Sequence, residues 1–280
     1  MSTTISVLDA VILGVVEGLT EFLPVSSTGH LKITEGFLDI PVDDPAVVGF
    51  TAVIQVGAIA AVLLYFFRDI VRFAGAWFRG LFNKQARGEF DYKFAWWIIL
   101  ATIPIVIVGI LAQSLIEGPL ASLWIVAGSL IVGSFAMWAG EWFGRQDRGE
   151  RDLRLVDAML VGSSQILAML FPGFSRSGAT LSTSLLLGID RVTATRLSFF
   201  LSIPALTGAG IYTLGDALGN GGVGALPLIV GTVVSFVVAY ASVAWLLRFV
   251  SRHSINGFGV YRVIIGVALF GLLAAGVLEA

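Results

Sequence analysis

The chain has 280 residues, of which 57% are hydrophobic and only 13% are charged, and its mean hydropathy is +0.92. A soluble domain carries about 25% charged residues, so this composition is typical of a polytopic membrane protein whose side chains largely face lipid. The net charge of −2 argues against nucleic acid as a partner, and the lack of cysteine excludes disulfides and thiolate metal sites.

The first apolar segment, Ile5–Leu38, is interrupted by a polar sequence. EGLTEFLPVSSTGH, from Glu17 to His30, places carboxylates, hydroxyls and an imidazole among apolar residues. Ionisable groups at membrane depth cost several kcal/mol each, so they are rare there and usually functional. Pro24 breaks the segment into arms that are short for spanning, which favours a re-entrant hairpin over two full spans.

Six other apolar runs approach the roughly 20 residues needed to cross about 30 Å of hydrocarbon. A second interrupted segment, Val156–Gly188, is broken by PGFSRSGAT, from Pro172 to Thr180, and is predicted to form a second re-entrant hairpin. The six predicted spans are Val47–Phe67, Phe94–Leu115, Leu123–Phe143, Leu197–Leu214, Leu226–Leu247 and Gly257–Leu278.

Basic residues set the predicted orientation. They concentrate in the loop Arg68–Lys93 and in the connections after Phe143, Gly188 and Leu247. With six spans and two hairpins these connections all fall on one side, which the positive-inside rule makes cytoplasmic. Both termini are then predicted to be periplasmic, with the first hairpin entering from outside and the second from the cytoplasm.

The two halves of the chain, approximately 1–145 and 153–280, share one pattern of a hairpin followed by three spans. Three is an odd number, so the second copy must be inverted relative to the first. We therefore predict a single all-α membrane domain over 1–280, an inverted-topology repeat of six transmembrane helices and two re-entrant helical hairpins. A shift of 148 residues superimposes Pro24 on Pro172, Ser27 on Ser175, and Glu17 on Gln165.

The acidic residues of the first polar sequence indicate a metal site. Glu17 and Glu21 are four residues apart and share one helix face. Two carboxylates so close in an apolar medium repel each other unless one is protonated or a cation lies between them. A hard divalent ion such as Mg²⁺ prefers these oxygen ligands together with substrate phosphate. The structural alternative is a buried polar network that pins helices together.

The hydroxyls after Pro24 stand where the next helix should begin. Ser26, Ser27 and Thr28 can cap that helix, and free backbone N–H groups there attract anions. His30 can titrate near neutral pH and is a candidate for proton transfer. For Ser26 and Thr28, plain helix capping is the alternative.

The second polar sequence offers a cationic partner. An arginine at membrane depth is costly without an anion, and the guanidinium of Arg176 fits phosphate oxygens with two parallel hydrogen bonds. Ser175, Ser177 and Thr180 surround it at the start of a helix and are candidates to bind further phosphate oxygens. The structural alternative is an ion pair from Arg176 to one of the two glutamates.

Three other polar residues lie inside apolar segments. Arg262 lies in the first turns of the last span and is expected to extend to the cytoplasmic interface. Gln55 is expected to make a helix–helix hydrogen bond, and Gln165 either adds a neutral hydrogen bond at the site or packs.

The sequences EGLTEFLPVSSTGH and PGFSRSGAT resemble the two signature motifs of the undecaprenyl-diphosphate phosphatase family, also called the bacitracin-resistance family. The resemblance implies a bacterial inner-membrane enzyme that removes the terminal phosphate of a polyprenyl diphosphate lipid. It also implies dependence on Mg²⁺ or Ca²⁺, a site accessible from the periplasm, and members that are often dimeric. The family's acidic pair falls on Glu17 and Glu21, its catalytic serine and histidine on Ser27 and His30, and its arginine on Arg176.

We therefore expect hydrolysis of a phosphoanhydride by in-line attack, with either Ser27 or a water molecule that it positions as nucleophile. A transporter is the rival interpretation, because broken helices in inverted repeats are common in carriers, and the protein would then flip polyprenyl phosphate.

Overall fold

The computed structural model of the chain is all-helical and describes residues 5–42, 44–116, 120, 122–219 and 223–278, without the side chains of 211–219. Twelve α-helices lie within the described residues. In chain order they are α1 (Val7–Thr20), α2 (Ser27–Phe37), α3 (Pro45–Tyr65), α4 (Phe67–Phe82), α5 (Phe90–Leu111), α6 (Gln113–Ile116), α7 (Leu123–Phe143), α8 (Leu155–Leu170), α9 (Arg176–Leu186), α10 (Arg191–Gly219), α11 (Ala225–Val250) and α12 (Asn256–Ala274).

Five of the described helices, α3, α5, α7, α11 and α12, are long and apolar enough to cross a membrane. The predicted bounds of α7 are confirmed, and those of the other four differ from the structure by a few residues. The remaining predicted span, Leu197–Leu214, falls within α10 but ends outside the described side chains. The count of six spans therefore stays a prediction.

Both predicted helix breaks are present. Pro24 lies between α1 and α2, and Pro172 lies between α8 and α9. After each break a serine caps the next helix with a positive φ, 76° at Ser26 and 71° at Ser175. Such a backbone in a non-glycine residue costs about 1–3 kcal/mol, so the surrounding structure must hold both breaks in place.

The second break contains one residue more than the first between its proline and its cap. The hydroxyl of Ser26 accepts a hydrogen bond at 3.4 Å from the N–H three residues later, and the hydroxyl of Ser175 does so at 3.2 Å. The caps are therefore equivalent to each other. The first helical residues, Ser27 in α2 and Arg176 in α9, are equivalent as well. The expected pairing of Ser27 with Ser175 is thus displaced by one residue.

The basic segment predicted as a loop, Arg68–Lys93, contains helix α4. This helix begins directly after α3 and combines arginines with exposed aromatic residues, among them Phe78 at 59% and Phe82 at 91% exposure. Basic and aromatic faces on one helix are typical of a segment lying in the membrane interface. The sequence did not predict α4, because arginines interrupt its hydrophobic residues and no continuous apolar run remains.

Glycines let the first arm of each hairpin approach a long helix closely. The arm α1 packs on α11, where a Cβ at Gly14 would lie 2.7 Å from the backbone oxygen of Gly231. The arm α8 packs on α5, where a Cβ at Gly162 would overlap the carbonyl of Ala101. Small residues at such contacts are typical of membrane helices, whose association depends on close packing. Each hairpin is thereby anchored through its first arm.

Ion pairs join helix ends that the predicted topology places on the cytoplasmic side. Arg196 of α10 lies 3.0 Å from both Asp69 of α4 and Glu150 of the segment between α7 and α8. In the same segment Arg148 donates to Asp157 at 3.0 and 2.5 Å. These hydrogen bonds raise the pKa of the Arg148 guanidinium above its usual value. The segment between the two halves is therefore fixed to the helices on either side.

Candidate active site

The carboxylate of Glu21 lies at the centre of the site. It follows α1 directly, and its side chain is 1% exposed. One oxygen, Oε1, accepts a hydrogen bond from the guanidinium of Arg176, and Oε2 accepts one from the hydroxyl of Ser27 at 2.5 Å. The two hairpins thus bring opposite charges into one contact, and the ion pair considered as the structural alternative for Arg176 is present, with Glu21 as the partner.

A cavity of about 270 Å³ lies beside this contact. Both hairpins contribute to its wall, together with α3, α5 and α6. A small volume lined by charged and hydroxyl groups suits a phosphate-sized anion better than a large apolar ligand. The polar residues of the wall are Glu21, Ser26, Ser27, Thr28, Gln55, Gln165, Ser175 and Arg176.

Glu17 lies one helical turn before Glu21 and outside the cavity wall. It is 1% exposed, and neither of its carboxylate oxygens has a hydrogen-bond partner among the described residues. An unpaired carboxylate is costly in apolar surroundings, so this group is either neutral or bound to a cation. The oxygens of Glu17 and Glu21 are the donors that Mg²⁺ or Ca²⁺ prefers, so the residues fit such an ion.

The residues around these two glutamates offer little other metal ligation. The described part of the chain contains no group of three or more His, Cys, Asp or Glu side chains that could hold a metal ion. A cation here would therefore need substrate oxygens or water to complete its ligands, as Mg²⁺ commonly does with phosphates.

The five residues predicted to bind phosphate separate into two groups. Ser26, Thr28 and Ser175 line the cavity, although the serine hydroxyls also cap α2 and α9. Ser177 and Thr180 are buried outside the wall. Ser177 donates to the carbonyl of residue 23 in the first break at 2.8 Å, and Thr180 donates to a hydroxyl of α10 at 2.7 Å. These two hold the second hairpin against its neighbours.

His30 turns away from Ser27. Its Nδ1 lies 2.7 Å from the carbonyl oxygen of Ser26, so Nδ1 carries the proton and donates it. Its Nε2 accepts from the hydroxyl of Tyr261 at 2.7 Å, and the two rings stack with centroids 5.6 Å apart. The carboxylate that accepts the hydrogen bond of the Ser27 hydroxyl is that of Glu21.

Two glutamines also lie in the cavity wall. Gln55 of α3 and Gln165 of α8 both face the cavity, and the carbonyl oxygen of Gln165 has no partner among the described residues. The signal for Gln165 was its alignment with Glu17 in the other half. A buried amide with a free oxygen can accept a hydrogen bond from a bound water or substrate hydroxyl.

The prediction for Arg262 was wrong. Its side chain does not extend to the interface: it is 0% exposed and donates to backbone carbonyls at both helix breaks. An arginine at membrane depth is costly when it has no hydrogen-bond partners, which is why Arg262 was expected to reach the interface. Helix breaks, however, leave carbonyl oxygens free to accept its hydrogen bonds.

The helices and these contacts define a polytopic membrane protein with a buried site in which an acid and a guanidinium from two broken helices meet. The family described as bacitracin resistance protein BacA matches residues 10–268. The chain belongs to this family.

Full-length relatives carry one name. The chain is 71% identical over 277 residues to undecaprenyl-diphosphatase 1 of Streptomyces avermitilis, a match covering 99% of this chain and 100% of the relative. It is 69% identical over 278 residues to undecaprenyl-diphosphatase 1 of Frankia alni, with the same coverage. The undecaprenyl-diphosphatase of Cutibacterium acnes is 50% identical over 281 residues, covering 98% of this chain and 99% of the relative.

Proposed function

We propose that this protein is an integral-membrane phosphatase that hydrolyses undecaprenyl diphosphate to undecaprenyl phosphate and inorganic phosphate. Membership of the family and the similarity to named relatives over nearly the full chain support this activity. The observation that carries the site assignment is the contact of Glu21 with both Ser27 and Arg176 beside a cavity.

In the proposed reaction the Ser27 hydroxyl oxygen attacks the terminal phosphorus in line with the bridging oxygen. Glu21 accepts the hydroxyl proton across their 2.5 Å hydrogen bond. The bond from phosphorus to the bridging oxygen breaks, and undecaprenyl phosphate leaves with that oxygen. Water then hydrolyses the phosphoserine, which releases inorganic phosphate and restores the Ser27 hydroxyl. In the alternative route Glu21 deprotonates a water molecule that attacks directly, and Ser27 only orients it.

Arg176 binds the group that is transferred. Its side chain is 23% exposed, and it lies in the cavity wall at the first turn of α9. A guanidinium can hold two phosphoryl oxygens and stabilise charge that develops during transfer. The N-termini of α2 and α9 both begin in this wall, where their free backbone N–H groups attract further phosphate oxygens.

Glu17 and Glu21 would hold the Mg²⁺ or Ca²⁺ that the resemblance implies, and the ion would offset the negative charge of the diphosphate. Glu17 suits this role because its buried oxygens lack partners among the described residues. In this proposal His30 orients the Ser26 backbone through its Nδ1–H and does not exchange the substrate proton.

The enzyme would lie in the bacterial inner membrane with the lipid tail between its helices, open to acyl chains. We propose the inverted repeat of six spans and two hairpins, periplasmic termini, a periplasm-accessible site and a homodimer. Equivalent cap serines in the two hairpins and the basic, ion-paired helix ends support the repeat and its orientation.

Phosphate release by purified protein in detergent tests the activity, with undecaprenyl diphosphate and Mg²⁺ supplied. A hydrolase releases phosphate without a two-sided membrane, and Glu21→Gln and Arg176→Ala abolish most of that release. A lipid flippase would release none, yet would move labelled lipid between the leaflets of liposomes. Unchanged rates in both variants would refute the site assignment.

A further inference from the structure

Arg262 of α12 contacts both helix breaks at once. Its Nη1 donates to the carbonyl of Pro24 at 3.2 Å, in the first break. Its Nη2 donates to the carbonyls of Gly173 at 3.0 Å and Phe174 at 2.8 Å, in the second break. One fully buried guanidinium therefore joins the two hairpins.

The same side chain also donates hydrogen bonds to α7. Its Nε and Nη2 donate at 3.3 Å to the carbonyls of Leu130 and Ser129 respectively. Within the described residues, the hydrogen-bond partners of Arg262 are these backbone carbonyls and the sulfur of Met137. A guanidinium with this many fixed acceptors has one orientation available, because each N–H direction is set by the planar fork.

Two glycines provide the space that the guanidinium of Arg262 occupies. A Cβ at Gly133 of α7 would overlap Nη2 of Arg262, and a Cβ at Gly178 of α9 would lie 2.7 Å from Nη1. A side chain at either position would displace the guanidinium or the helix that carries it. The space around Arg262 is therefore specified by α7, α9 and α12 together.

We propose that Arg262 is a positioning residue that sets the distance between the two hairpins, and so brings the Glu21 and Ser27 side to the Arg176 side. Pro24 lies three residues from both Glu21 and Ser27, and Phe174 lies two residues before Arg176. A shift of either break therefore moves the reacting groups almost directly. This inference rests on the proposed assignment of Glu21, Ser27 and Arg176 to the active site.

A structural role alone would also explain buried hydrogen bonds to carbonyls that helix breaks leave free. The two roles differ in what happens to a protein that still folds. If Arg262 only stabilises, lost activity follows lost folded protein. If it positions, kcat per folded molecule falls, because a misplacement of about 1 Å between reacting groups costs on the order of 100-fold.

The test uses full-length protein in detergent, with phosphate release from undecaprenyl diphosphate normalised to monodisperse, folded protein. Gly133→Ala keeps the arginine but pushes on its guanidinium and on the Phe174 carbonyl that it binds, where the added Cβ would lie at 2.9 Å. Arg262→Lys keeps the charge but cannot reach both breaks. The matched control is Gly128→Ala in the same helix, where the added Cβ meets only Phe270, at 3.9 Å. We expect kcat to fall at least about tenfold in both test variants, with Gly128→Ala within about twofold of wild type.

A double-variant comparison separates this role from an independent one. If Arg262 acts through Arg176, the losses in kcat from Arg262→Lys and Arg176→Lys are not multiplicative when combined. Full multiplication, or wild-type kcat in folded Gly133→Ala or Arg262→Lys, would overturn the proposal. Because Gly133→Ala retains the arginine, it decides the question if Arg262→Lys fails to fold. Wild-type activity in Glu21→Gln would instead remove the site assignment itself.

Discussion

The two hairpins share one backbone design and differ in the side chains that it presents. In each, a serine with positive φ caps the second arm, Ser26 in the first and Ser175 in the second. The next residue is Ser27 in one hairpin and Arg176 in the other, and both contact Glu21. In the proposed mechanism the residue after the cap takes part in the chemistry, whereas the hydroxyl at the cap position starts the helix. The charge also differs, since the first hairpin supplies the acids and the second the guanidinium.

The largest effect should come from Glu21, whose carboxylate contacts Ser27 of the first hairpin and Arg176 of the second. Glu21→Gln keeps the shape but removes the base for Ser27 and the counter-charge for Arg176. We expect kcat/KM for phosphate release to fall about 10⁴-fold. Asp9→Asn, at the far end of the same helix, should stay within a few-fold of wild type. Activity of Glu21→Gln within tenfold of wild type would show that the contact between hairpins is only structural.

The next test concerns the hydroxyl at the position after the cap. Ser27→Ala should lower kcat about 10³-fold if Ser27 is the nucleophile, and should abolish any phosphoserine trapped during turnover by acid quenching. Ser164→Ala serves as the control, because it removes a hydroxyl that donates to the carbonyl of Val161 in its own helix. Full turnover by Ser27→Ala would exclude the serine route and leave direct attack by water.

A third test compares the glutamate of the first arm with the amide aligned to it. The carboxylate oxygens of Glu17 and the amide oxygen of Gln165 have no hydrogen-bond partner among the described residues. Of these two residues, Gln165 faces the cavity and Glu17 does not. We expect Glu17→Gln to raise the Mg²⁺ concentration for half-maximal activity about 10- to 100-fold, as loss of a supporting ligand does. Gln165→Met should lower kcat without moving that midpoint. An unchanged midpoint in Glu17→Gln would remove Glu17 from the metal proposal.

The features that the sequence predicted correctly depend on the cost of charge in lipid. Polar groups inside apolar segments located both helix breaks, and the need for a counter-charge gave an ion pair with a glutamate as the structural alternative for Arg176. The extra residue in the second break was not predicted, because the sequence does not show which serine caps a helix; the break holds Gly173 at a φ of 102° as well as Ser175 at 71°. The depth of Arg262 was also missed, since backbone carbonyls, its actual partners, carry no signal in the sequence.

The smallest expected effect tests the structural half of the comparison. Ser175→Ala removes the cap hydroxyl but keeps a Cβ in a left-handed backbone, whereas Ser175→Gly removes the hydroxyl and also relieves that strain. We expect Ser175→Ala to cost about 2 kcal/mol of stability and Ser175→Gly about 0.5 kcal/mol or less, read as shifts in thermal midpoint. The same order should hold at Ser26, because its φ is the same within a few degrees. Equal costs for alanine and glycine would mean that the positive φ stores no strain, and the two caps would then be ordinary helix starts.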